Sequence, residues 1–102
     1  MNTAGGFSEF VRVPKDWVIK KPESLTLSES MALGTAGLTA GLCVRRLINH
    51  GITPEMGKLF VTGATGGVGI ISLMLLSKLG YEVSAITGKQ ESEQMLKNYG
   101  AK

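Results

Sequence analysis

A chain of 102 residues has room for one small domain, and at that size only roughly 60 to 65% of the unfolded surface can be buried, so its core is modest. Hydrophobic residues make up 43% and charged residues 19%, and the net charge of +3 is scattered without a basic run, which argues against a nucleic-acid partner. The single cysteine, Cys43, allows no internal disulfide, no apolar run approaches the roughly 20 residues of a membrane helix, and no signal-peptide pattern opens the chain, so a cytoplasmic protein without a membrane partner is expected.

Residues 7–13 alternate at Phe7, Phe10, Val11 and Val13 as one strand would, and Pro14 limits it. A second short extended stretch is expected over 17–19, running into a turn at Pro22. Thr26 and Glu29 have the spacing of a capping box, in which the hydroxyl accepts from the amide three residues on and the carboxylate reaches back. A helix should start there, break or closely approach another backbone within Gly34–Gly37, resume through Leu38, and end at Gly51. Each interior glycine costs about 1 kcal/mol relative to alanine, which is the reason to expect the break.

After Pro54, residues 58–62 ("KLFVT") have the continuous apolar character of a strand covered on both faces. The run "GATGGVG" follows at once, then an apolar helix over 68–79 closed by Gly80. Residues 81–87 read as a second strand and the segment from Glu91 as a second helix ended by Gly100. Strand, glycine loop, helix, strand, helix is the opening of a doubly wound α/β fold with a right-handed crossover.

Glycine loses more backbone freedom on folding than other residues, so four of them between two apolar elements require a geometric reason. The dinucleotide-binding fingerprint G-x-G-x-x-G supplies one, because its glycines allow the tight turn, the approach of a pyrophosphate, and close helix packing. The register that gives Gly66 and Gly69 their places puts Ala64 first, where alanine suits only a negative φ, and the extra Gly63 and Gly67 can shift the bend. In this reading the amides of Ala64, Thr65, Gly66, Gly67 and Val68 face the pyrophosphate. The plainer alternative is a glycine-rich turn that packs a helix on a sheet.

No Walker A ending is present, since neither the loop nor Gly88-Lys89-Gln90 supplies G-K-[ST]. An Asp or Glu at the end of the second strand would select NAD through the ribose 2′-hydroxyl. The chain has Thr87, Gly88 and Lys89 there, a hydroxyl, an amide and a cation that suit a 2′-phosphate and favour NADP(H). Glu82 lies at the wrong end of that strand, Glu91 keeps NAD open, and Lys89 can also be a solvated surface charge. With one Cys and one His, no zinc site is expected. Cys43, between Leu42 and Val44, is expected to be a small buried hydrophobe, and His50 a helix-terminal residue interacting with the dipole.

The segments "GGFSEFVRVPKDWVIKKP", "SESMALGTAGLTA", "VTGATGGVG" and "GYEVSAITGK…LKNYGAK" together resemble the medium-chain dehydrogenase/reductase superfamily, most closely its zinc-independent quinone oxidoreductase-like branch with the acrylyl-CoA reductases. The resemblance covers essentially the whole chain. It implies an NADPH-dependent enzyme that delivers hydride to an activated carbon–carbon double bond of a small molecule, an enoyl-CoA, enone or quinone. Thr35 and Thr39 would lie beside the nicotinamide, Gly66 to Val68 at the pyrophosphate, and Thr87 with Lys89 at the 2′-phosphate. Without the resemblance, Thr35 and Thr39 read equally well as bonding helix carbonyls.

By the same resemblance, residues 1–25 correspond to the tail of a GroES-like catalytic domain and 26–102 to the first half of an NAD(P)-binding Rossmann domain, a partial doubly wound parallel sheet. Family members are about three times longer, so the chain looks like a fragment whose two parts form one compact unit. The helix 68–79 is apolar nearly all round and expects burial on more than one side, while an unpaired edge of strand 58–62 favours self-association, with or without exchanged elements. The alternative to a reductase core is a non-catalytic module that only binds nucleotide or self-associates.

Overall fold

The computed structural model describes residues 5–102. Its elements follow in the order α1 (Leu27–Asn49), β1 (Leu59–Thr62), α2 (Gly67–Lys78), β2 (Val83–Ile86) and α3 (Glu93–Asn98), with 3-10 turns at Lys15–Trp17, Pro54–Met56 and Gln90–Ser92. β1 and β2 pair in parallel, Leu59 opposite Val83 and Thr62 opposite Ile86, and α2 forms the crossover between them. This is a βαβ unit of the Rossmann type.

Thr26 starts α1 through a complete capping box: its hydroxyl accepts from the Glu29 amide at 3.1 Å, and the Glu29 carboxylate accepts from the Thr26 amide at 2.8 Å. The helix is broken at Gly34, whose φ of 47° and ψ of −151° lie outside the helical region and are open to glycine without a Cβ penalty. The last part of α1 packs on α2 through buried Ala40 and Val44. His50 caps α1, its amide donating to the Arg46 carbonyl at 3.1 Å while its Nδ1 lies 2.8 Å from the same oxygen.

Leu73 and Val83 are fully buried at the centre of a core completed by Val44, Ala64, Leu76, Tyr81 and Leu96. The Tyr81 hydroxyl donates to the Ile52 carbonyl at 2.6 Å and ties the start of β2 to the connection before β1. At the other end of the chain the Lys102 amide donates to the Val83 carbonyl at 2.9 Å, so the C-terminal residues run along the outer edge of β2.

Several expectations are corrected. Residues 7–14 are irregular rather than a strand, because among the described residues no strand meets their backbone. Residues 17–19 are not uniformly extended: Lys15–Trp17 form a 3-10 turn closed by Trp17 N–H to the Pro14 carbonyl, and the chain returns to extended geometry at Val18. The 5–20 segment is exposed throughout and does not join the 26–102 unit in one compact body; residues 1–4 of that expectation lie outside the described residues.

β1 is covered on one face only, Leu59 and Val61 being half-buried while Phe60 is 65% exposed. Helix α2 buries Gly69, Leu73 and Leu76, yet Val68, Met74 and Leu79 remain exposed. Cys43 is exposed rather than buried, since Ala40 and Val44 occupy the face of α1 that meets the core. Contrary to the reading of apolar runs, α1 has the length and mean hydropathy, 1.2, of a membrane-crossing helix, though it is broken at Gly34.

Candidate functional site

The glycine loop leaves β1 at Thr62 and turns through Gly63, whose φ of 60° is the left-handed value that the tight bend requires. The Gly66 amide closes the bend on the Gly63 carbonyl at 2.9 Å. Gly66 is the N-cap of α2, with no side-chain cap and no acidic residue in the first turn. The amides of that turn therefore have no side-chain acceptor and sit in the positive field of the helix N-terminus, the arrangement that suits an anionic ligand.

Each glycine has a separate task. A Cβ on Gly69 would run into the Gly63 carbonyl oxygen and stand 2.9 Å from the Ala64 Cα, so Gly69 lets α2 pack against the loop. A Cβ on Gly67 would lie 3.2 Å from the Ala36 Cβ, so Gly67 lets α1 approach the start of α2. Ala64 is fully buried, and its amide bonds the Ile86 carbonyl at 3.4 Å, joining the loop to the end of β2. Its side chain is part of the core, which leaves only its backbone for a ligand. The turn residue is thus Gly63, one place before the fingerprint's first position; Gly63 stood out beside Ala64, and which of the two makes the bend was not readable from spacing.

The parallel register sets Thr62 beside Ile86, so the loop after β1 and the loop after β2 stand together at the carboxyl ends of the strands. In the second loop Thr87 is half-buried, Gly88 and Lys89 are exposed, and the Lys89 amide donates to the Thr87 hydroxyl at 3.1 Å. That bond fixes a tight turn around Gly88. A cavity of about 260 Å³ between β2 and α3 is lined by Thr87, Lys89, Glu93 and Lys97 among others. Its carboxylate is already engaged: Glu93 accepts from Lys97 at 2.7 Å, and this bond and the nearby ammonium hold its pKa below the ordinary value. Glu82 lies at the opposite end of β2 in a 2.9 Å pair with Lys58, which likewise lowers its pKa. Glu91 is exposed in the Gln90–Ser92 turn.

Thr35 and Thr39 follow the Gly34 break on one exposed stripe of α1, and Thr39 donates its hydroxyl to the Thr35 carbonyl at 2.8 Å. The helix-internal bonding that their types permit is therefore made by Thr39. The closeness of Ala36 to Gly67 nevertheless brings this turn next to the glycine loop. Ala36 was not singled out from the sequence, although the small-residue run 34–37 contained it.

No protein-family model matches the chain. The Bacillus subtilis protein YhfP is 52% identical over 97 residues, which are 95% of this chain and 29% of the relative; its crystal structure with NAD bound superposes with a TM-score of 0.84 over 87% of this chain and 27% of that one. Acrylyl-CoA reductase AcuI of Ruegeria pomeroyi is 47% identical over 97 residues, again 95% of this chain and 29% of the relative. The YhdH oxidoreductase of Salmonella enterica, solved in complex with NADP, is 46% identical with a TM-score of 0.92 over 95% of this chain and 30% of that one. The chain thus spans somewhat under a third of the length of each of these relatives. Over nearly its whole length the chain is thus homologous to somewhat under a third of the length of acrylyl-CoA reductases and quinone oxidoreductases of the medium-chain dehydrogenase/reductase superfamily.

Proposed function

We propose that this chain carries the nicotinamide-dinucleotide site of an oxidoreductase that uses NADP(H) to reduce an activated carbon–carbon double bond in an enoyl-CoA, enone or quinone. The observation that carries the proposal is the meeting of two loops at the carboxyl ends of parallel strands, one ending in an uncapped helix N-terminus and the other carrying Thr87, Gly88 and Lys89. The backbone of Ala64, Thr65, Gly66, Gly67 and Val68 binds the pyrophosphate. Thr87, Gly88 and Lys89 hold the 2′-phosphate, the cation supplying the charge and the hydroxyl and amide the direction.

Thr35 and Thr39 lie alongside the nicotinamide and orient its face; Thr39 keeps its oxygen lone pairs available as an acceptor while donating to the Thr35 carbonyl. The bound cofactor supplies the hydride. No residue among these is assigned as a general acid or base, and the substrate-lining groups belong to the complete enzyme, which is read as cytoplasmic and homo-oligomeric with a small-molecule substrate.

Titration of the purified chain with NADPH and NADH, followed by nicotinamide fluorescence, tests the reading. The expected result is micromolar NADPH binding, weakened about tenfold or more by Lys89→Glu, with NADH affinity changed much less. Loss of one charge-assisted contact to the phosphate is worth about 1.5–3 kcal/mol, which sets that scale. Equal effects on both cofactors would remove Lys89 from the 2′-phosphate. A folded chain that binds neither leaves the non-catalytic module, with self-association as its remaining property.

A further inference from the structure

An acidic residue at the end of the second strand is what turns a dinucleotide site toward NAD, and neither carboxylate closest to that place in sequence occupies it. Glu82 precedes β2 at the opposite end, and Glu91 is exposed in the Gln90–Ser92 turn without lining the cavity beside it. A third carboxylate stands there instead. Glu93, the first residue of α3, lines that cavity together with Thr87 and Lys89, and among the described residues it is the one carboxylate on the lining. Left unpaired, it would repel a 2′-phosphate and accept from a ribose 2′-hydroxyl, which favours NADH over NADPH.

Glu93 is not left unpaired. Lys97, four residues on and so on the same face of α3, donates from Nζ to Glu93 Oε1 at 2.7 Å, in the order of acid before base that suits a helix. Four residues of helix rise about 6 Å, so Glu93 sits on the turn that leads out of the loop and Lys97 one turn behind it. The bond and the adjacent ammonium hold the Glu93 pKa below its ordinary value, so the carboxylate is ionised at neutral pH and its charge is offset only while Lys97 is present. Both side chains are more than half exposed, at 70% and 58%, so salt weakens the effect.

We infer that Lys97 is a specificity-determining positioning residue of the dinucleotide site: by engaging Glu93 it draws that carboxylate and its charge off the Thr87–Lys89 turn, which lets the turn accept a 2′-phosphate. The inference rests on the cofactor reading given above and deepens it. Lys97 acts through Glu93 and needs no contact with the cofactor.

The test is titration of the full chain with NADPH and NADH at low ionic strength, followed by nicotinamide fluorescence, for the parent, Lys97→Met, Glu93→Gln and the double variant. Lys97→Met should weaken NADPH binding about two- to fivefold, the scale of an exposed ion pair, while NADH affinity holds or rises. Adding Glu93→Gln should restore the ratio of the two affinities, and raising the salt to about 0.15 M should shrink the difference. Gln94→Ala is the control, because it removes the neighbouring 3.1 Å bond from Gln94 to Asn98, outside the cavity lining, and should leave the ratio unchanged. A merely structural Lys97 would shift both affinities together, and a ratio unchanged by Lys97→Met overturns the inference. So does a ratio that stays low in the double variant, since Lys97 would then meet the phosphate itself. A folded parent chain that binds neither cofactor overturns the cofactor reading and this inference with it, whereas a parent that binds NADPH and variants that keep its preference remove Lys97 alone.

Discussion

Gly69 shows how a single missing carbon positions the loop. Its hypothetical Cβ meets backbone on two sides, the Gly63 carbonyl and the Ala64 Cα, neither of which can rotate away as a side chain would. Gly69→Ala should therefore lower stability by about 1–3 kcal/mol, the cost of overpacking, and shift the thermal midpoint by several degrees. Gly88→Ala is the control, since nothing lies within 4 Å of its Cβ position and no positive φ is required. Equal midpoints for the two variants would show that the loop relaxes around Gly69. The fingerprint spacing made Gly69 legible because close packing is tied to a fixed interval after the bend. It could not tell Gly63 from Ala64, because the sign of φ at the bend depends on where the strand stops, and here the strand's last residue is Thr62.

Among elements, α1 was the most readable, since a capping box is a contact between residues three apart and needs nothing distant. The Glu29 pKa is held below the ordinary 4.5 chiefly by its bond from the Thr26 amide and then by the Thr26 hydroxyl. A carboxylate with a depressed folded pKa contributes stability that is present above its unfolded value and is lost as pH falls through the folded one. Helix content followed by circular dichroism should accordingly decline below about pH 4.5 more steeply in the parent chain than in Glu29→Gln, which lacks the titrating group. Thr26→Ala should cost about 1 kcal/mol at neutral pH in a denaturant titration. The 7–13 stretch has an equally clear pattern and no strand, for the opposite reason: alternation states which side chains share a face, whereas a strand exists only where another backbone accepts its hydrogen bonds.

For the whole molecule, the order strand, glycine loop, helix, strand, helix identified the doubly wound opening, because each element is marked by its own period and stops. The extent of burial was not legible, since it depends on neighbours that local pattern does not contain. Only eight hydrophobic residues are buried among the described residues, and Phe60, Met74, Leu79 and Ile86 are exposed at 65%, 45%, 49% and 49%. A core of this size leaves a marginal free energy. Saturating NADPH should therefore stabilise the chain by about 2.7 kcal/mol at a hundredfold excess over the dissociation constant, read as a higher urea midpoint, because a ligand held by the two loops binds only the folded βαβ unit. A urea midpoint that NADPH leaves unchanged would mean that the folded unit does not bind the cofactor.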